Sequence, residues 1–218
     1  MSDARVRDGL ERLSRDIWQK SWWDGYAGAF TGRIIDHAWL ESRATELRSY
    51  DAMVVPGLLQ TRQYAEAVIR AADPTKPRER IRLWAEFRMN RQRVLGRDGP
   101  LRLSVVLDEA VLRRSVGGGE VLRGQLRHLI EMAESPNIGI RVLPFGAAAG
   151  ASPEGPFTVF DMPEPYPDVA YIETRVGAIY VEGDDVEGFV QAYDRLHEAA
   201  LAPGDSLALI MTAAERAA

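Results

Sequence analysis

Two alternating apolar stretches with a helical stretch between them constrain the fold of this chain most strongly. Apolar residues recur at every second position from Leu101 to Leu107 and from Ile138 to Val142, and this period is typical of half-buried strands. Between them, apolar residues from Leu122 to Ala133 recur at the spacing of an amphipathic helix. A strand, a helix and a second strand predict a parallel pair joined by a right-handed crossover.

The remaining patterns predict helices packed around a larger sheet. Three more strand-like stretches follow at 157–162, 169–173 and 178–182, the last two forming a hairpin. We therefore expect an α+β fold with helical flanks on a roughly five-stranded mixed sheet. Helices are predicted over Val6–Ile17, over Leu40–Leu47, from an N-cap at Thr61 to Ala72, after Pro77, after Asp108, and twice after Val186.

Length and composition indicate one folded domain. The chain has 218 residues, of which 46% are hydrophobic and 27% are charged, as in ordinary globular proteins. We expect residues 1–24 to be an N-terminal helical extension and residues 25–218 to be a single α+β domain. The absence of cysteine excludes disulfides, thiolate metal sites and a cysteine nucleophile. Because the sequence shows no signal-peptide pattern and no membrane-length apolar run, we expect a cytoplasmic protein.

The charge distribution leaves two interpretations open for one basic stretch. A net charge of -5 argues against a protein covered by a nucleic-acid-binding surface. From Lys76 to Arg97, however, Lys and Arg residues accumulate with only Glu79 and Glu86 among them. The first interpretation is a solvated outer helix face, with Leu83 and Phe87 on the inner side. The second is a site for an anion or a partner.

A polar group after the first predicted strand is the strongest candidate binding site. Asp108, Glu109, Arg113 and Arg114 follow that strand and precede a run of glycines. Ligands of parallel sheets bind beyond the carboxyl ends of the strands, which favours a site here. The alternative is structural, with Asp108 capping a short helix and Glu109 pairing with Arg113 one turn later.

The predicted hairpin carries a second group of polar residues. Tyr171 and Glu173 share one face of their strand, and Tyr180 and Glu182 share one face of theirs. If protein covers that face, a carboxylate there would have a raised pKa and could act as a general acid or base. Glu173, Glu182 and Glu109 are therefore the candidate catalytic residues. The alternative is a hairpin face in contact with solvent.

Aromatic and histidine residues add one further candidate site. Trp22, Trp23 and Tyr26 form an aromatic concentration that indicates either a packed joint between elements or a ligand cage. The three histidines are scattered and have no carboxylate at a metal-ligand spacing. No phosphate-binding loop or nucleophile elbow is present. We therefore expect neither a metal nor a cofactor.

Three long motifs resemble a known family. They are VVPGLLQT (Val54–Thr61), LDEAVLRRSVGGGEVLRGQLRHL (Leu107–Leu129) and RVLPFGAAAGASPEGPF (Arg141–Phe157). Together they resemble the domain of unknown function that follows a xenobiotic-response-element-type helix-turn-helix in regulators of streptomycetes and related actinobacteria. The resemblance begins near Ser21 and covers most of the chain.

This resemblance implies a domain that senses a signal or holds a partner protein, with no established catalytic residues. The preceding helix-turn-helix is not in the sequence, so we expect a stand-alone relative that does not bind DNA. Two positions depart from the family pattern: Arg43 stands where a Glu is usual, and residues 147–152 lack a usual His. The resemblance therefore implies no role for those two groups in this chain.

Two functions follow from these observations. The preferred one is a module that binds a small-molecule ligand or a small partner protein, with a homodimer as one expected assembly. The alternative is a cofactor-independent enzyme of specialised metabolism that uses one of the three glutamates for acid/base cyclisation, elimination or hydrolysis. Arg113 or Tyr180 would then stabilise developing charge. A weaker third hypothesis is nucleic-acid binding through Lys76–Arg97.

Overall fold

The computed structural model describes residues 21–26, 28–30, 32–147 and 155–217. The predicted helix over Val6–Ile17 lies outside these residues. The described α-helices are α1 (Gly32–Arg43), α2 (Arg62–Ala72), α3 (Arg78–Arg91), α4 (Glu109–Arg113), α5 (Gly119–Met132), α6 (Val186–Ala199) and α7 (Pro203–Arg216). The described strands are β1 (Glu46–Asp51), β2 (Arg102–Asp108), β3 (Ile138–Leu143), β4 (Phe157–Asp161), β5 (Val169–Thr174) and β6 (Gly177–Glu182).

The strands form one mixed sheet in the order β3-β2-β1-β4-β5-β6. Strands β1, β2 and β3 are parallel to one another, whereas β4, β5 and β6 continue the sheet through antiparallel pairs. The predicted parallel pair, here β2 and β3, and the predicted hairpin, here β5 and β6, are both confirmed. The α+β class is confirmed as well.

The prediction of roughly five strands was one strand short, because β1 was assigned to a helix. Leu40, Ala44 and Leu47 are spaced as on a helix, but α1 ends at Arg43 and Leu47 belongs to β1. This strand hydrogen-bonds to β2 on one side and to β4 on the other. Such non-local pairing overrides a short local apolar pattern, which is why β-structure depends so strongly on tertiary context.

Helices cover both faces of the sheet. On one face, Leu47 and Val105 pack with residues of α1, α2, α5 and α7, and on the other, Tyr50 and Val159 pack with α6. The loop between α4 and α5 sets how closely α5 approaches α2: Gly117 has φ of +78°, and a Cβ there would lie 2.7 Å from the Ala67 Cβ. Only glycine fits this turn without displacement.

Candidate functional site

The last turns of α3 direct two arginines into the protein. Ile81 and Ala85 are buried against α2, and Arg88 continues their row at the i, i+4, i+7 spacing of one helix face. Arg91 follows three residues later, and its side chain is only 13% exposed. The prediction that the basic stretch forms an outer face is therefore wrong for these two residues. Helix α3 also packs through Leu83 and Phe87 against another cluster, so no single face of it is apolar.

Arg91 forms a buried two-point ion pair with Glu41 of α1. Its Nε donates to Glu41 Oε2 at 2.7 Å and its Nη2 donates to Oε1 at 2.6 Å. His37, one turn earlier on α1, places Nε2 3.2 Å from the same Oε1. Burial alone would raise the pKa of Glu41, but Arg91 and His37 outweigh it and lower that pKa to about 2. Glu41 is therefore a carboxylate at neutral pH and compensates the charge of Arg91.

Arg88 has a different environment, because its hydrogen-bond partner is neutral. Its Nη1 donates to Gln60 Oε1 at 2.7 Å, and Gln60 is itself fixed by donating from Nε2 to the Val55 carbonyl at 2.6 Å. Burial first, and then the charge of Arg91, lower the pKa of Arg88 to about 10. At neutral pH Arg88 is thus a half-buried cation that forms no ion pair among the described residues.

The turn at Gly57–Leu59 holds these groups in place. Gln92 donates from Nε2 to the carbonyls of Gln60 at 2.7 Å and Gly57 at 3.2 Å. A Cβ on Gly57 would lie 3.4 Å from Nη2 of Arg91, so this glycine lets the turn approach both arginines closely. The motif VVPGLLQT therefore builds one wall of the site.

The sheet supplies the opposite wall. Ser49, Thr158, Tyr171 and Tyr180 are register partners across β1, β4, β5 and β6, so they form one row on one face. The Tyr171 ring lies 4.6 Å from the His37 ring and 5.3 Å from the Tyr180 ring, measured between centroids. Burial first, and then the charge of Glu173, raise the pKa of the Tyr171 phenol. Tyr171 is therefore a neutral hydroxyl at any physiological pH.

Glu173 lies at the exposed edge of this arrangement. It follows Tyr171 by two residues and so lies on the same face of β5, and its side chain is exposed. Its negative charge favours the charged forms of Arg88 and Arg91, although the pKa of Arg88 remains lowered by burial and by Arg91. We name this cluster of side chains from α1, α3, the Gly57–Leu59 turn and β5 the arginine cleft. It is defined by Arg88, Arg91, Glu41, His37, Gln60 and Tyr171, with Glu173 at its edge.

A planar anion suits the arginine cleft chemically. A guanidinium has five N–H donors in a fixed plane, and Gln60 occupies only Nη1 of Arg88 among the described residues. The Nδ1 atom of His37 is also buried, and it has no hydrogen-bond partner among the described residues. Among the described residues, no three His, Asp or Glu side chains converge as a metal site requires.

Comparison with known proteins assigns the chain to a family. The family model described as domain of unknown function DUF5753 matches residues 34–212, which is most of the chain. This protein belongs to the DUF5753 family. Comparisons with curated proteins and with solved structures gave no match. None of the helices in the described ranges has the length and apolar character needed to cross a membrane.

In this DUF5753 domain, the residues predicted after β2 make structural contacts. Asp108 accepts the Ala110 N–H at 2.8 Å, as an N-cap does, and the Tyr50 hydroxyl at 3.3 Å. Glu109 pairs with Arg113 and accepts the Phe145 N–H at 3.0 Å. Burial alone would raise the pKa of Glu109, but the Phe145 N–H and Arg113 outweigh it and lower that pKa.

The other predicted residues separate into different parts of the domain. Arg114 donates to the Met53 carbonyl at 2.8 Å, beyond the carboxyl end of β1. Trp22, Trp23 and Tyr26 pack with Phe30 and Phe87; the Trp22 and Phe87 rings, for example, are 5.0 Å apart. Tyr171 and Tyr180 meet on one face, because the register of the hairpin makes them partners. Glu182 is exposed and lies opposite Val169, toward the other end of the hairpin from Glu173.

Several site residues were missed by the sequence analysis, although partial signals existed. Arg88 continues the Ile81–Ala85 row, and His37 and Glu41 stand one helical turn apart. Asp51, at the carboxyl end of β1, was also missed because β1 was not predicted. It accepts the Ser49 hydroxyl at 2.7 Å, and burial raises its pKa to about 7 despite that bond.

Proposed function

We propose that this protein is a small-molecule-binding module, related to the sensor half of a transcriptional regulator, that takes an anionic ligand in the arginine cleft. It would bind that ligand without binding DNA itself. One observation carries the proposal: the half-buried guanidinium of Arg88 has a neutral amide, rather than a carboxylate, as its hydrogen-bond partner among the described residues.

The charge balance of the cleft supports this proposal. The positive charge of Arg91 is balanced by the Glu41 carboxylate, which accepts two of its hydrogen bonds. No described carboxylate lies at hydrogen-bonding distance from Arg88. A cation removed from water without a partner is costly, and a bound anion would offset that cost. Arg88 is half-buried and its hydrogen-bond partner Gln60 is buried, which favours a small molecule over the surface of a partner protein.

The contacts of the basic stretch support a module that does not bind nucleic acid. Lys76 pairs with Asp73 at 3.1 Å, and Arg80 donates to the Ala29 carbonyl at 2.8 Å. Arg97 donates to the Ser42 carbonyl. With Arg88 and Arg91 directed inward, the stretch offers few free cations on one face, and binding a phosphate backbone depends on such a cluster.

The environments of the three candidate catalytic glutamates favour binding over acid/base catalysis. A general acid near neutral pH needs a raised pKa, which burial in an apolar site provides. Glu173 and Glu182 are exposed, and the pKa of Glu109 is lowered rather than raised. None of the three has the surroundings that the enzymatic hypothesis required.

Calorimetric titration of the full chain with acetate, benzoate and inorganic phosphate at fixed ionic strength tests the proposal. We expect at least one of these anions to bind, and Arg88→Gln to weaken that binding at least tenfold. A hydrogen bond to a charged group contributes about 1.5–3 kcal/mol, and about 1.4 kcal/mol corresponds to tenfold.

Arg82→Gln is the matched control, because Arg82 is an exposed arginine of the same helix. We expect it to bind the anion as the unchanged protein does. Circular dichroism establishes that both variants are folded. Equal loss of binding in Arg82→Gln and Arg88→Gln, or no effect of Arg88→Gln, would show that the arginine cleft is not the site.

A further inference from the structure

The two walls of the arginine cleft carry opposite charges that do not neutralise each other directly. Arg88 projects from α3, and Glu173 belongs to β5. Within the described part of the chain, Glu173 forms no ion pair at 4.0 Å or less. The carboxylate of the cleft that does pair with an arginine is Glu41. Contacts connect the two walls: the Tyr171 ring, on the strand face that carries Glu173, lies 4.6 Å from the His37 ring, and His37 Nε2 lies 3.2 Å from Glu41, the partner of Arg91. Glu173 also favours the charged form of Arg88.

An aromatic surface lies beside the acidic edge. Tyr171 and Tyr180 are register partners, with ring centroids 5.3 Å apart, and Tyr171 shares its strand face with Glu173. The faces of tyrosine rings attract cations, ammonium groups included. The Glu173 carboxylate and these two rings therefore form a recognition surface for a positively charged nitrogen, in the same cluster as the guanidinium of Arg88, which suits an anion.

We propose that the ligand of the arginine cleft is dipolar, with a carboxylate that binds Arg88 and an ammonium group that binds Glu173 and the Tyr171 and Tyr180 rings. Free amino acids, ω-amino acids and small molecules derived from them have this chemistry. This inference rests on the proposed function, because it assumes that Arg88 is the anion receptor. It adds a second recognition point and thereby names a ligand class.

Removing the charge of Arg88 and removing the charge of Glu173 should affect ligand binding differently. Loss of the Arg88 cation should weaken the binding of every carboxylate, because all of them share that contact. Loss of the exposed carboxylate should affect only ligands with an ammonium group. Glu173 is solvent-exposed, and interactions of exposed charges are individually weak, so its contribution should be the smaller one.

Titration with two matched ligand series tests the inference. One series consists of glycine, β-alanine, 4-aminobutyrate and 6-aminohexanoate, and the other of the corresponding carboxylates without the amino group. We expect the best-fitting amino carboxylate to bind about three- to tenfold more tightly than its amine-free counterpart, a range set by an exposed ion pair plus a cation–π contact. The length that binds best reports the separation of the two charges.

The variants separate failure of this inference from failure of the proposed function. Glu173→Gln should abolish the preference for the amino group while leaving amine-free carboxylates bound, and Glu182→Gln, which alters an exposed glutamate of the neighbouring strand, should retain it. Equal binding of the two series by the unchanged protein, with Arg88 still required, overturns the dipolar ligand alone. Carboxylate binding that does not require Arg88 overturns the proposed function, and this inference with it.

Discussion

Removing the charge of Glu41 is the sharpest test of how the arginine cleft is stabilised. In Glu41→Gln the size of the side chain hardly changes, but the buried guanidinium of Arg91 loses its counter-charge. Glu41 is only 1% exposed, so water cannot replace the lost carboxylate without opening the domain. We therefore expect a large loss of stability from a change that removes no apolar contact.

The magnitude follows from the pKa of Glu41. It falls from an ordinary value of 4.5 to about 2, and this difference of about 2.5, at about 1.36 kcal/mol each, corresponds to about 3 kcal/mol. The value agrees with the roughly 3–5 kcal/mol lost when one member of a buried ion pair is removed. For a domain of this size it corresponds to a decrease in Tm of about 6–12 °C.

The pH dependence has a definite sign. Because the pKa of Glu41 is lower in the folded protein than in the unfolded chain, its contribution is fully present above about pH 4.5. That contribution is lost as the pH falls toward 2. The difference in stability between the unchanged protein and Glu41→Gln should therefore be constant near neutral pH and shrink below pH 4.5.

Urea unfolding followed by tryptophan fluorescence and circular dichroism measures the effect, since Trp39 and Trp84 lie on the two helices that carry the pair. Glu131→Gln is the control, because that side chain is 76% exposed and lies 3.7 Å from His128. Adding Arg91→Gln to Glu41→Gln completes a double-mutant cycle, and the double variant should lose less than the two single losses combined. If Glu41→Gln costs no more than Glu131→Gln, or if the two losses simply add, the ion pair does not stabilise the domain.

Two further predictions concern buried polar groups near the site. Burial raises the pKa of Asp51 to about 7, so the stability linked to its protonation is present below about pH 4 and lost as the pH rises through 7. Asp51→Asn should therefore stabilise the domain by about 1–2 kcal/mol at pH 8 and hardly at all at pH 4. Urea unfolding at both pH values measures the effect. Equal effects at the two pH values would contradict the raised pKa of Asp51. Gln125, which is fully buried, donates to the Leu59 carbonyl at 2.7 Å and accepts the Thr61 N–H at 2.7 Å. Gln125→Leu should cost about 2–4 kcal/mol, because both backbone groups lose their partner, and unchanged thermal unfolding would show that water replaces the amide.

The sequence determined the elements whose patterns are local. The alternation in β2 and β3, the helical spacing in α5 and the turn between β5 and β6 each correspond to the observed element. Thr61 caps α2 as predicted, with its side-chain oxygen accepting the Tyr64 N–H. These features follow from periodicity and capping, which involve only residues near one another in the chain. The same logic placed Tyr171 with Glu173 on one face of β5, and Tyr180 with Glu182 on one face of β6.

The tertiary structure alone decided β1 and the arginine cleft. β1 exists because β2 and β4 supply hydrogen bonds on both of its edges, and such long-range partners leave little trace in a six-residue stretch. Arginine is usually an exposed residue, so the composition of Lys76–Arg97 favoured an outer face. Arg88 and Arg91 face inward because Gln60 and Glu41, distant in sequence, provide buried acceptors for them. A buried charge depends on where its partner lies, and only the folded chain defines that position.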